Sequence, residues 1–243
     1  MARRVFSKVA SYEGTVAQID SGPMAGLRLV ISEHTSHAHI SGTYERETQD
    51  AIDALVEPGS VCYDLGASIG YLSLLMARKA REVFAFEPAP HAVEEIRRHA
   101  EANAFRNITV VCSPVSDCER DVEFSLTDVA FGSCITSGDT PWRKLKLRTT
   151  TLDAFVSSHP FPDFIKIDVE GEEGRVLKGA RSILREKRTP ICCELHSEQC
   201  AREVLEILSE YGYRASTLNG TPFELHRPVI AGELQIIALP PGR

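Results

Sequence analysis

Residues 61–70, VCYDLGASIG, constrain this chain more than any other stretch. A short apolar run ends in an acid, glycines follow, and an apolar pattern of helical period begins, so the order reads strand, tight turn, helix. Such a unit opens a doubly wound α/β sheet and sets a ligand at its turn. Its partner is the run FAFE, which closes a second strand on Glu87.

The chemistry of the turn narrows the ligand. Dinucleotide turns read G-x-G-x-x-G and press a pyrophosphate against a helix N-terminus, where fixed negative charge is unwelcome. Here the turn is Asp64-Leu65-Gly66-Ala67-Ser68-Ile69-Gly70. Asp64 would repel a phosphate and complement an ammonium, and the Gly66/Gly70 pair lets backbone approach a compact ligand. S-adenosylmethionine carries that ammonium, a sulfonium and no phosphate. Glu87 stands about where an acid meets ribose hydroxyls in such sheets. A nicotinamide dinucleotide is disfavoured by Asp64 and by the missing third-glycine spacing.

With 243 residues, 43% of them apolar, the chain can build one large α/β domain. Residues 1–60 read as an N-terminal lid or extension, and residues 61–243 as the main domain. A net charge of −7 disfavours nucleic acid or an anionic membrane as partner and favours a small molecule. The basic start MARRVFSK is followed by no apolar run, and no window reaches membrane-span length, so a cytoplasmic location is expected. The seven cysteines lack zinc spacing. Cys62, Cys112, Cys192 and Cys193 fall in strand-like runs and read as buried small hydrophobes, with no disulfide framework.

Along the chain, residues 15–19 and 27–31 read as a strand pair. His34, His37 and His39 lie in EHTSHAH, whose spacing supports no metal site and reads as a solvated loop or strand face. Ser41 or Thr43 is a candidate cap for a helix facing inward through Ile52, Leu55 and Val56, and Pro58-Gly59 ends it. Strands at residues 61–64, 83–87 and 108–112 alternate with helices at residues 70–79 and through Ala102. VEFSL and KLKLRTTTL then read as an inserted strand pair around a loop, residues 132–141, which is a candidate lid or substrate wall. A strand at residues 163–169, a helix at 172–186, a strand at 191–195 and a helix at 198–211 follow. YRASTL and ELQIIALP close the chain as an antiparallel pair. Strands alternating with helices imply a mostly parallel sheet.

Ligands in such sheets bind beyond the carboxyl ends of the strands. Those ends are ionic here: FIKIDVEG sends Lys166, Asp168 and Glu170 to one side, and in CCELH Glu194 and His196 share a side. Methyl transfer from a sulfonium needs an aligned acceptor, and a hydroxyl acceptor gains from a general base. His196 has the most suitable ordinary pKa, Asp168 or Glu170 serves if desolvated, and Lys166 either pairs with an acid or lowers the acceptor's pKa. Asp168, Glu170, Glu194 and His196 also offer ligands for a divalent ion. Spacing alone is not diagnostic, and the leading expectation is metal-free.

These residues resemble the FkbM-type S-adenosylmethionine-dependent methyltransferases. The likeness rests on Gly42-Thr43-Tyr44-Glu45, the turn from Asp64 to Tyr71, Phe86-Glu87-Pro88, Val115-Ser116-Asp117, Thr151-Leu152-Asp153 and, most specifically, the run from Ile165 to Gly171. It implies a class I, Rossmann-like sheet of seven strands with an antiparallel C-terminal hairpin, and O-methylation of a secondary metabolite or sugar hydroxyl. It implies that Asp64, Gly66, Ala67, Ser68, Gly70, Tyr71, Glu87 and Pro88 hold S-adenosylmethionine. By the same resemblance Ser116 and Asp117 lie near the adenine, Asp168 near the methionine or acceptor end, and Tyr44 and Glu45 cover the site. Ser68 stands where Asn is common in the family. The alternatives are N-methylation of a small amine and a non-catalytic cofactor-binding subunit; the polar strand ends argue for catalysis. Oligomeric state is open, a homodimer included.

Overall fold

The computed structural model describes residues 13–126, 133–136, 141–223 and 234–242. Strands β1 (Val16–Gln18) and β2 (Arg28–Val30) form an antiparallel pair, followed by helices α1 (His37–Ser41) and α2 (Arg46–Leu55). The repeating part begins with β3 (Val61–Leu65), α3 (Tyr71–Ala77), β4 (Glu82–Phe86), α4 (Pro90–Ala102) and β5 (Ile108–Val111). Strands β6 (Asp121–Leu126), β7 (Cys134–Thr136) and β8 (Arg143–Arg148) make a small antiparallel sheet. Then come α5 (Leu152–Val156), β9 (Phe164–Ile167), α6 (Glu173–Lys178), α7 (Arg181–Glu186), β10 (Ile191–Leu195), α8 (Glu198–Glu210), β11 (Arg214–Thr217) and β12 (Leu234–Leu239).

The central sheet has seven strands in the order β11-β12-β10-β9-β3-β4-β5. Strands β10, β9, β3, β4 and β5 run parallel, and β12 runs against both of its neighbours. Strand order reverses at β3: β4 and β5 lie to one side and β9 and β10 to the other. The crevice beyond its carboxyl end is where such a sheet receives ligands.

Period-two alternation sorts the strands into two cores. Val61, Tyr63 and Leu65 face one layer with Leu152, Phe155, Val176 and Val204. Cys62, Val83, Phe164 and Cys192 face the other, packed on Ile52, Leu72 and Leu75. Ile19, Met24 and Leu29 of the N-terminal segment belong to that second core, so this segment is fastened to the sheet by apolar burial.

Four features differ from the sequence reading. Ser41 and Thr43 do not cap α2: Glu45 stands at its N-cap with φ 44° and no side-chain cap, while Ser36 caps α1 in a reciprocal box with His39. His39 is consequently helical and buried, not solvated, and burial lowers its pKa to about 4. The helix expected over residues 172–186 is two helices. A Cβ on Gly179 would meet the Ser116 carbonyl at 2.3 Å, and Asp153 accepts hydrogen bonds from the N–H groups of Arg181 and Ser182, which start α7. The inserted pair is a three-stranded sheet, because β7 pairs with β6 inside the stretch read as loop; the rest of that loop, residues 137–140 and Gly132, lies outside the described residues. Among the cysteines, Cys62, Cys192 and Cys193 are buried, whereas Cys112 is exposed; all seven are free.

Candidate active site

The turn after β3 is built for close backbone approach. Gly66 has φ 77°, and a Cβ there would lie 1.7 Å from the carbonyl oxygen of Asp168, so only glycine fits against the end of β9. The N–H groups of Gly66 and Ala67 donate to the Phe86 carbonyl, locking the turn to β4. Ser68 is left-handed at φ 49°, and its N–H donates to Glu87 Oε2 at 2.9 Å. Ala89 N–H donates to Oε1 of the same carboxylate at 2.8 Å. Burial of Glu87 pushes its pKa up to about 7 against the pull of those two donors.

A cleft opens above this turn. Its lining includes Gly66, Ser68, Phe86, Glu87, Pro88, His91, Val115, Phe124, Ser133, Ile135, Asp168, Glu170 and Glu172. Ser116 and the guanidinium groups of Arg120 and Arg175 meet Glu172. Apolar faces together with carboxylates fit a positively charged ligand such as S-adenosylmethionine.

Past Asp168 the cleft adjoins the ionic ends of β9 and β10. Lys166 Nζ donates to Asp168 Oδ2 at 2.9 Å and lies 4.0 Å from Asp64 Oδ1. Burial alone would discharge this amine, but Asp168, Asp64 and Glu45 raise its pKa and keep it ammonium. The chain then leaves the sheet through Glu170 and Gly171, with φ 55° and 102°. His196 Nδ1 lies 2.8 Å from Glu173 Oε1, and its Nε2 faces Asp168, Glu170 and Glu194 at 3.4, 3.6 and 3.8 Å. Burial works against the imidazolium, yet the hydrogen bond and charge of Glu173, with Asp168 and Glu170, carry the pKa of His196 up to about 9. Burial, then repulsion from Asp168, pushes the Glu194 carboxyl upward. Gln235 Nε2 donates to Glu194 Oε2 at 2.9 Å and reaches Glu45 Oε2 at 3.3 Å.

The site thus gathers Gly66, Ser68, Glu87, Pro88, Asp168 and Glu170 in one cleft, with Lys166, Glu194 and His196 at its edge. Other expected residues sit elsewhere. Asp64 is wholly buried and takes its hydrogen bond from Ser73 at 2.5 Å, so its charge answers Lys166 and does not line the cleft. Ser116 is buried, and Asp117 is turned to Arg120; Ser113, Pro114 and Val115 line the cleft in their place. Tyr44 stacks on His39 and meets Tyr71 edge-on, and the Tyr71 hydroxyl donates to the His39 carbonyl. Neither tyrosine lines the cleft, nor do Ala67 and Gly70. Sequence reading missed Glu173 and Gln235, which orient His196 and Glu194. Glu173 follows the Glu170-Gly171 turn as an acid in the first turn of α6, and that was its only signal.

The sequence model described as the Methyltransferase FkbM domain matches residues 64–215. Hexuronic acid methyltransferase AglP of Haloferax volcanii is 29% identical over 170 residues, 68% of this chain and 69% of that protein. In three dimensions the chain resembles methyltransferase FkbM from Methylobacillus flagellatus with a TM-score of 0.52 and 18% identity, over 97% of this chain and 58% of that one. It also resembles SMU.1697c from Streptococcus mutans, solved with SAH, with a TM-score of 0.50 and 10% identity over 79% and 94%. At those identities the two structures speak for the fold, a class I methyltransferase sheet. Among the described residues no helix is long and apolar enough to cross a membrane.

Proposed function

Because this chain belongs to the FkbM methyltransferase family and is therefore an S-adenosylmethionine-dependent methyltransferase, we propose that it methylates a hydroxyl oxygen of a small molecule, with sugar acids as the first acceptor class to try. The observation that carries this reading is Asp168, which belongs both to the acid-lined cleft and to the ionic cluster beside it. The family's named relative that acts on a hexuronic acid supports the acceptor class.

S-adenosylmethionine supplies a methyl group on positively charged sulfur. In this reading Glu87 accepts from the ribose hydroxyls, while Phe86, Pro88, Val115 and Phe124 flank the flat base. Lys166 fixes one oxygen of Asp168 and so orients it. A hydroxyl oxygen that takes a methyl gives up its proton. His196, protonated at neutral pH through Glu173, is then a donor and a positive charge, not the base. Glu194, raised by burial, is better matched to receive the proton, with Asp168 and Glu170 beside it. Asp64 acts indirectly, as the buried counter-charge of Lys166.

Turnover with isotope-labelled methyl donor across hexuronic acids, neutral sugars and phenols tests the reading. Glu194→Gln is expected to lower kcat by about a hundredfold while SAH affinity changes little. Full turnover in that variant removes Glu194 as base, and a folded, SAH-binding protein that methylates no hydroxyl removes the reading itself.

A further inference from the structure

The groups beyond the cleft are held in a way that methyl transfer alone does not call for. His196 gives Nδ1 to Glu173, whose wholly buried carboxylate is itself fixed by the N–H groups of Val169 and Gly171 and by the Cys200 thiol. Asp168 gives Oδ2 to Lys166, and Glu194 gives Oε2 to the amide of Gln235. In all three residues the outer atom is fixed by protein and the inner atom faces a shared centre. Outer partners that orient ligands in this manner are a regular part of metal sites.

The atoms turned inward are His196 Nε2, Asp168 Oδ1 and Glu194 Oε1, and one ligand atom from each of the three residues lies within 4.8 Å of the others. Nε2 lies 3.4 Å from Asp168 Oδ1, 3.6 Å from Glu170 Oε2 and 3.8 Å from Glu194 Oε1, and none of the three is a hydrogen bond. The ring already takes the Glu173 carboxylate at 2.8 Å through Nδ1, so the three further carboxylates gathered at Nε2 are more than a counter-ion role needs. Ligand atoms sharing a divalent cation at bonds of about 2.1 Å stand about 3.0–3.4 Å apart; the shortest spacing here, 3.4 Å, meets this, and a cation would draw the other side chains inward. Glu194, 8% exposed, is held at Oε2 by Gln235 and turns Oε1 to the same centre, 3.8 Å from His196 Nε2.

We propose that Asp168, Glu194 and His196 form a binding site for a divalent cation, with Glu170 as a fourth ligand. One imidazole among hard carboxylates suits Mn2+ and its neighbours in softness, and the cation would take the place of a proton on Nε2. Its open positions would face the cleft edge and take oxygen atoms of the acceptor; with the cation bound, Glu194 would serve as ligand instead of base, and the acceptor hydroxyl, acidified by the ion, would lose its proton to solvent. That role rests on the hydroxyl-acceptor reading; the binding does not.

Chelator-stripped full-length protein titrated with Mn2+, with the free ion read by electron paramagnetic resonance, tests the site. One ion per chain is expected at sub-millimolar affinity. Glu194→Gln and His196→Ala should weaken binding at least tenfold, and Glu173→Gln, which alters only the outer partner, about tenfold. Glu87→Gln, in the cleft, should leave it unchanged. Glu170→Gln, at an exposed position, gives a ligand variant that spares the fold, and circular dichroism checks the others. Absence of Mn2+ binding, or binding indifferent to Glu194, His196 and Glu170 together, overturns the proposal. Mn2+ bound without any methylated hydroxyl would sink the acceptor reading and leave this site standing; hydroxyl methylation by a protein that binds no Mn2+ would do the reverse.

Discussion

Ser68 of the turn and Glu87, which accepts from it, carry consequences of their own. Glu87 titrates near neutrality because burial outweighs the pull of its two N–H donors. Its folded pKa lies above the unfolded one, so its share of stability is full below about pH 4.5 and lost as pH rises through about 7. Ligand hydroxyls reverse the preference, since they donate to the ionised form. SAH affinity measured by calorimetry should therefore rise between pH 6 and 8, by at most about tenfold per unit, and Glu87→Gln should flatten the rise. A flat wild-type profile would remove Glu87 from the ribose. Ser68 occupies a left-handed position that Asn tolerates better. Ser68→Asn should stabilise the protein to urea by on the order of 0.5 kcal/mol, and a loss of stability would contradict that account.

Among the elements, those with strong periodicity were legible from sequence. The strands around the turn, α4, α8 and the closing hairpin fall where apolar spacing put them. Contacts between distant segments decided the rest. The split between α6 and α7 depends on Gly179 lying against the Ser116 carbonyl and on Asp153 reaching the first N–H groups of α7. Nothing in the local pattern of residues 172–186 shows either. Asp153→Ala should cost about 2 kcal/mol in urea unfolding through lost capping, with α7 loosened in hydrogen exchange. An unchanged midpoint would mean that core packing of Ile183 and Leu184 alone holds α7. Strand β7 was hidden for a related reason: three residues show no period until β6 pairs with them.

For the molecule as a whole, the sequence reading puts a candidate site at the carboxyl ends of β3, β4, β9 and β10, and the strand order brings those ends together. Roles were less legible. Asp64 looked like a group facing ligand, yet depth in the sheet gives it to Lys166 and Ser73. His196 looked like the base from its ordinary pKa, yet Glu173, which is 23 positions away in sequence, keeps it protonated. Charge balance over the whole site is a three-dimensional property, and the proposed acceptor oxygen rests on it. The direct test is the product. With a carbon-13 methyl donor and a hexuronic acid acceptor, NMR of the purified product should show the label as a methyl ether on a ring hydroxyl. Label on the acceptor's carboxylate as an ester, or methylation confined to nitrogen in an amine-bearing analogue, would contradict the account.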